Sequence, residues 1–368
     1  MGVCDEIAKL FGETIDYLLI TRPETITYFT GFYSTARRPN QLGLTCALIN
    51  KQNIVFYCPQ SWEIEAKSQL NGTSIVVQGY AGDKQNLADM IIKEVITDFK
   101  TCRFGMEPGY MDYELYTKLV KNNSFIFISV NECLDHAKAI KTDDEIIALK
   151  NSAKLAKDAM EYAKTIVHTG IKEYELAAEV EYFMRRHGSD GTPFTMKALS
   201  GENSTVTINI PGEKKIEEGD CVLFDFGATV DHYISDWTRT FCCGKASAEQ
   251  KELYRLVWKI ERECIDMMKP GILVSELMNH AMQIAGQHLM GKWFHPYLGH
   301  SIGLGTSEWP ILKPGIDIPL EHGMVLTIEP GIYIPGIGGV RIEDEIFVTE
   351  TGHEIWTGLD NEVFELFN

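Results

Sequence analysis

Two aspartates 11 residues apart, two glutamates 14 apart and a histidine standing between the pairs set the hardest constraint on this chain: Asp225, Asp236, His300, Glu329 and Glu343. If these five converge, four carboxylates meet at one spot and repel one another unless cations compensate them. Two divalent ions would do so, four positive charges against four negative. The run from Val222 to Ala228 is strand-like and places Asp225 near its end; Ser235 to Thr240 is a second such run. A turn around Val230 to His232 would pair them and bring the two aspartates together. His300 lies in a glycine-flanked segment, Gly299 to Gly303. The turn-rich stretch from Ile334 to Gly339 lets the chain fold back between Glu329 and Glu343. An oxygen-rich donor set with one nitrogen suits Mn²⁺ and also accepts Co²⁺, Zn²⁺ or Fe²⁺. Two such ions about 3.5 Å apart would bridge a water and lower its pKa, and the hydroxide would attack a carbonyl while a carboxylate moved the proton.

A chain of 368 residues predicts two domains. Up to about residue 140, short apolar runs alternate with helical spacing. Asp16–Ile20, Leu44–Ile49, Asn53–Tyr57, Ser74–Gln78 and Phe125–Val130 read as strands, and Leu87–Phe99 as a helix. This is an α/β pattern. At Thr142 a helix cap precedes Asp143, Asp144 and a long apolar periodicity, so the boundary is placed between 140 and 141. Beyond it, helices are predicted from Thr142 onward and at Glu173–Arg186, Glu249–Met268 and Val274–Met290. Strands are predicted at Cys221–Phe226, Thr238–Cys242, Met324–Ile328 and Glu343–Val348. Helices and strands in blocks make residues 141–368 an α+β domain.

A net charge of −18 argues against a nucleic-acid partner. The nine cysteines form no C-x-x-C pair, which points to reduced thiols and a cytoplasmic setting. No basic-then-apolar leader and no apolar run of bilayer length is expected to direct the chain to a membrane.

Residue types alone leave each acid with its ordinary reading as a solvated strand-end or loop carboxylate, among 52 acidic residues and 10 histidines. Taken together, the segments Asp225–Ala228, Ser235–Thr240, Gly299–Leu304, Ile328–Tyr333 and Arg341–Asp344 resemble the metal-dependent pita-bread peptidases. That family includes Xaa-Pro dipeptidases, aminopeptidase P, methionine aminopeptidase and creatinase. The resemblance covers residues 141–368. Residues 1–140, through Tyr28 to Phe32, resemble the creatinase/prolidase N-terminal domain. It implies cleavage of the amide bond before proline in dipeptides or short peptides. Asp225 would chelate one metal and His300 and Glu329 the other, with Asp236 and Glu343 bridging. Glu329 would be the general base, and Thr238 and Arg341 would orient the carboxylates.

The chain departs from that pattern around the ligands. Substrate-site histidines of the family fall here on Ile208, Pro296 and Ser307. Loss of one such donor costs roughly 2.7–4 kcal/mol of transition-state stabilisation, so His295, Ser307, Asn209 and Thr207 are candidate substitutes. Arg37 and Arg38 match a region that, in creatinase-like relatives, reaches the partner subunit's site and binds a carboxylate. This predicts a homodimer. The altered surroundings keep open a creatinase-like C–N hydrolase or lyase acting on a small modified amino acid, and a binding module on the same scaffold.

Overall fold

The computed structural model describes residues 5–34, 44–95, 101–122, 124–358 and 364–366. The chain divides into two compact units, Met1–Lys138 and Ala139–Asn368.

In the first unit the strands are β1 (Tyr17–Ile20), β2 (Cys46–Ile49), β3 (Ile54–Pro59), β4 (Val76–Tyr80), β5 (Cys102–Met106) and β6 (Phe125–Ser129). They form a mixed sheet in the order β4-β3-β2-β1-β5-β6. Strands β2 and β3 make a hairpin, and the Asn50 side chain accepts from the backbone N–H groups of Gln52 and Asn53 to close it. Successive residues enter opposite cores. Leu18, Ile20, Ala47, Ile49, Phe56 and Cys58 pack on one side, and Leu19, Cys46, Leu48, Val55 and Tyr57 on the other. Burial on both faces explains why these strands read as unbroken apolar runs. Helices α1 (Asp5–Glu13), α2 (Pro23–Thr30), α3 (Glu63–Gln69) and α6 (Asn131–Ala139) cover the first face. Helices α4 (Lys84–Val95) and α5 (Tyr113–Leu119) cover the second.

The second unit has the pita-bread arrangement: two sheets, each backed by a pair of long helices. Helix α7 (Asp143–Ile166) opens with a capping box in which Thr142 accepts from the Glu145 backbone and Glu145 accepts from the Thr142 N–H. With α8 (Glu173–Arg186) it packs on β7 (Lys197–Ser200), β8 (Cys221–Phe226) and β11 (Trp237–Cys243). Between β8 and β11 lies a small ribbon of β9 (Thr229–Val230) and β10 (Tyr233–Ile234). Helices α9 (Ala248–Met267) and α10 (Val274–Gly286) pack on the second sheet. Its strands are β12 (Gly299–Ser301), β13 (Glu308–Leu312), β14 (Val325–Ile328), β17 (Asp344–Val348) and β18 (His353–Ile355), in the order β13-β12-β14-β17-β18. A separate ribbon joins β15 (Gly331–Ile334) to β16 (Gly338–Arg341), and β19 (Glu365–Leu366) borders β11. The helix predicted over Val274–Met290 stops at Gly286. His288 then caps a 3-10 turn, Leu289–Trp293, by accepting from the Met290 N–H. Gly291 sits so close to the Ala285 carbonyl that any side chain there would collide with it.

Register decides which residues face the site. On β8 and β11, Phe224, Phe226, Trp237 and Phe241 point to the α7–α8 core, while Asp225 and Thr238, which are Cα partners, point the opposite way. A one-residue slip would expose the aromatic set and bury the aspartate against the helices. The loss is about 1.5–3 kcal/mol for each large apolar side chain exposed, so this register is strongly held.

Candidate metal centre

Asp225 sits on β8. Asp236 stands immediately before β11, His300 on β12, Glu329 just after β14, and Glu343 between β16 and β17. The two sheets are tied together at this point. The Glu343 N–H donates to the Thr238 carbonyl at 3.1 Å, and Arg239 Nη1 donates to the Glu343 carbonyl at 2.6 Å. The buried Arg239 guanidinium also pairs with Asp344 at 2.6 Å, and Asp344 further accepts from Arg262, Trp237 and Thr357. That network fixes the backbone on either side of Glu343.

Asp236, His300 and Glu343 are all buried, and each offers a ligand atom within 4.8 Å of the others. His300 Nε2 lies 3.5 Å from Asp236 Oδ2 and 3.4 Å from Glu329 Oε1. The other ring nitrogen, Nδ1, faces the Ser301 carbonyl at 3.0 Å, so it carries the proton and turns Nε2 inward. His300 is seated by close approach of β12 to β14. Gly299 has φ +144°, and a side chain there would strike the Thr327 carbonyl. Thr327 in turn accepts from the His300 N–H at 3.2 Å and lies 3.4 Å from Glu329 Oε1.

The electrostatics are those of a cation site. Burial pushes the Asp236 carboxyl up to about 7, with His300 opposing and Asp225 adding to the rise. Burial, and then the charges of Asp236, Glu329 and Asp225, hold the Glu343 carboxyl well above the usual range. Burial alone would depress the His300 ring, but the Asp236 and Glu329 carboxylates override it and raise it to about 9. Glu343 Oε1 is buried without a hydrogen-bond partner. A divalent ion among Asp236, His300, Glu329 and Glu343 would satisfy that oxygen and neutralise the cluster, so these residues fit the expected metal.

Thr238 and Arg341 brace the carboxylates. Thr238 Oγ1 donates to Glu343 Oε2 at 2.6 Å and accepts from Arg341 Nε at 3.1 Å. Arg341 Nη1 donates to the Tyr333 hydroxyl at 2.9 Å, its Nη2 is bonded to Asp225 Oδ2, and its Nε lies 3.9 Å from Glu329 Oε2. Asp225 thus differs from the other four, because its Oδ2 also accepts from Lys197 Nζ at 2.8 Å.

The remaining candidates are spread out. His295 is exposed; its ring lies 6.3 Å from that of Tyr297, which lies 6.4 Å from that of His300. Ser307 is exposed and hydrogen-bonded to the Tyr297 hydroxyl. Ile208 is 88 % exposed, Thr207 and Pro296 are exposed and Asn209 is half-buried. Arg37 and Arg38 lie outside the described residues. Sequence reasoning passed over Lys197 and Tyr297. Burial raises the Tyr297 phenol, and the nearby charges of Glu329, Glu343 and Asp236 act in the same direction. Its hydroxyl therefore stays protonated beside the cluster. Among the described residues no helix is long and apolar enough to cross a membrane, and the described cysteines are free thiols.

Comparison with known proteins matches the family description "Metallopeptidase family M24" over residues 148–350 and "Creatinase/Prolidase N-terminal domain" over residues 7–140. The chain is 34% identical to the uncharacterized peptidase YqhT of Bacillus subtilis, covering 98% of this chain and 99% of the relative. It is 38% identical to the Xaa-Pro dipeptidase of Pyrococcus horikoshii, covering 95% of each. It also superimposes on the Xaa-Pro dipeptidase structure from Bacillus anthracis with a TM-score of 0.87 and 33% identity, over 98% of both chains.

Proposed function

This chain belongs to metallopeptidase family M24, and from that premise we propose that it is an Mn²⁺-dependent Xaa-Pro dipeptidase acting through the centre in residues 141–368. The observation that carries the reading is the buried convergence of Asp236, His300 and Glu343, with Glu329 3.4 Å from the histidine. A divalent ion held there supplies Lewis acidity and an activated water.

The protein's own groups do the rest. Glu329 is the least buried of the five, with a side chain 14% exposed. It can meet both the attacking water and the leaving amine, and so serves as the general base and then the acid. Thr238 and Arg341 hold Glu343 and Asp225 in place through the bonds described above. Ile208 and Ser307 stand where the family pattern has histidines, so a donor to the developing oxyanion must come from elsewhere. Tyr297 takes that role: its hydroxyl stays protonated within the field of the carboxylates and accepts from Ser307. His295, on the exposed side of Tyr297, contacts the substrate. Arg37 or Arg38, reaching from the partner in a homodimer, pairs with the substrate's terminal carboxylate.

The test is hydrolysis of a panel of Xaa-Pro and Xaa-Ala dipeptides by the Mn²⁺-loaded protein. Turnover restricted to Xaa-Pro is expected. Turnover of Xaa-Ala alone, or of neither, overturns the substrate assignment.

A further inference from the structure

The family pattern asks for two cations, yet one end of this centre already carries positive charge of its own. Lys197 lies on β7 as the direct Cα partner of Asp225 on β8, and Asp225 is in turn the partner of Thr238 on β11. Directly paired residues project from the same face of a sheet. Lys197, Asp225 and Thr238 therefore form one row across three strands, on the site side. Their neighbours Met196, Ala198, Phe224, Phe226 and Trp237 project into the helix-backed core. The strand register thus places Lys197 in the site, and the Asp225 oxygen that accepts from Lys197 Nζ at 2.8 Å also accepts from Arg341. A metal bound through that oxygen would have to displace an ammonium and stand next to a guanidinium.

Charge balance points the same way. Asp225, Asp236, Glu329 and Glu343 bring four negative charges; Lys197 and Arg341 bring two positive ones. One divalent ion completes neutrality, whereas a second would leave an excess of two positive charges, or of one even with a bridging hydroxide. The clustered ligand atoms match this count. Asp236, His300 and Glu343 come within 4.8 Å of one another, Glu329 joins them 3.4 Å from His300 Nε2, and Asp225 is instead taken up by Lys197 and Arg341.

We propose that Lys197 stands in for the second cation, so that the centre holds one divalent metal, at Asp236, His300, Glu329 and Glu343, beside a Lys197–Asp225–Arg341 ion cluster. Asp236 and Glu343 then serve as terminal ligands of one ion rather than as bridges between two. The proposal rests on the metal-site part of the functional reading and is independent of the substrate.

The experiment counts metal. The protein is stripped with a chelator, reloaded by equilibrium dialysis against Mn²⁺ and read by elemental analysis and electron paramagnetic resonance. The wild type should hold one tight equivalent per chain with the resolved hyperfine lines of an isolated Mn²⁺. Lys197→Met should hold two, with the second equivalent strengthened by about 100-fold or more and a spin-coupled signal. Lys197→Arg, which keeps the charge, should stay at one. Two tight equivalents or none in the wild type, or a single equivalent in Lys197→Met, overturns the proposal. Should Lys197→Met fail to fold, the wild-type count and spectrum decide alone. Because peptide turnover is not the readout, failure of the dipeptidase assignment leaves the metal count untouched.

Discussion

Thr238→Val removes one hydroxyl and nearly nothing else, because valine has the same branched shape. Thr238 is fully buried, as is the bond it makes: 2.6 Å to Glu343 Oε2, with 3.1 Å from Arg341 Nε on its other side. A hydrogen bond to a charged partner is worth about 1.5–3 kcal/mol. Glu343 Oε1 already lacks a partner, so the variant leaves both oxygens of that carboxylate without donors. Its charged form becomes harder to maintain, and the metal must displace a more tightly held proton from a less firmly oriented side chain. Loss of such an orienting contact weakens metal binding by roughly 10–100-fold, or about 1.4–2.8 kcal/mol at 1.4 per decade. The two ranges agree. The assay is competition for Mn²⁺ against a chromophoric chelator, with circular dichroism to establish the fold. Thr238→Ser, which keeps the donor, should recover most of the affinity. Wild-type affinity within twofold in a folded Thr238→Val protein would refute the argument that this hydroxyl holds Glu343 for the metal.

Metal-free protein should lose stability as pH rises. Asp236, raised to about 7, and the elevated Glu343 keep protons that the unfolded chain has released above about pH 4. The contribution of His300, raised to about 9, is full below about pH 6.5 and disappears as pH passes through 9. Metal replaces these protons, so the gain in thermal midpoint on adding Mn²⁺ should widen from pH 5 to 9; a gain independent of pH contradicts the reading. Tyr297→Phe should lower kcat by about 10²–10³ with little change in KM or metal content, and an unchanged kcat removes Tyr297 from the reaction. Arg239→Met takes one of two guanidinium partners from buried Asp344, which keeps Arg262, and should cost about 1.5–3 kcal/mol in urea unfolding; a loss below about 1 kcal/mol would mean the pair is dispensable.

Much of the site was legible because its residues sit in short strings of distinctive composition. The segment Ser235–Thr240 and the Arg341–Asp344 run name their carboxylates directly. The Thr142 cap was equally plain, since a capping box is a local motif. Lys197 was hidden for a physical reason. Whether a lysine in a β-run faces water or a metal site depends on which strand pairs with it and in what register, and neither is written locally. The one available signal was a charged residue inside the apolar run from Met196 to Leu199. Tyr297 carries no local signal either, since a tyrosine in a loop is ordinarily a half-buried phenol and only the fold sets its ring 6.4 Å from that of His300. The end of α10 at Gly286 was also misjudged. Apolar spacing continues to Met290, but His288 captures the Met290 N–H and turns the chain.

The seam at Glu343, where Thr238 and Arg239 clasp a backbone from the other sheet, also governs the order in which the protein can be made. The hairpin carrying Asp225 and Asp236 ends at Cys243, but Glu343 is added about a hundred residues later and reaches the centre only when the second sheet docks. Until then His300 and Glu329 stand without the carboxylate that closes the centre, and Thr238 without the oxygen it holds. The four-residue centre therefore exists only in the finished fold, where the two sheets meet at Glu343.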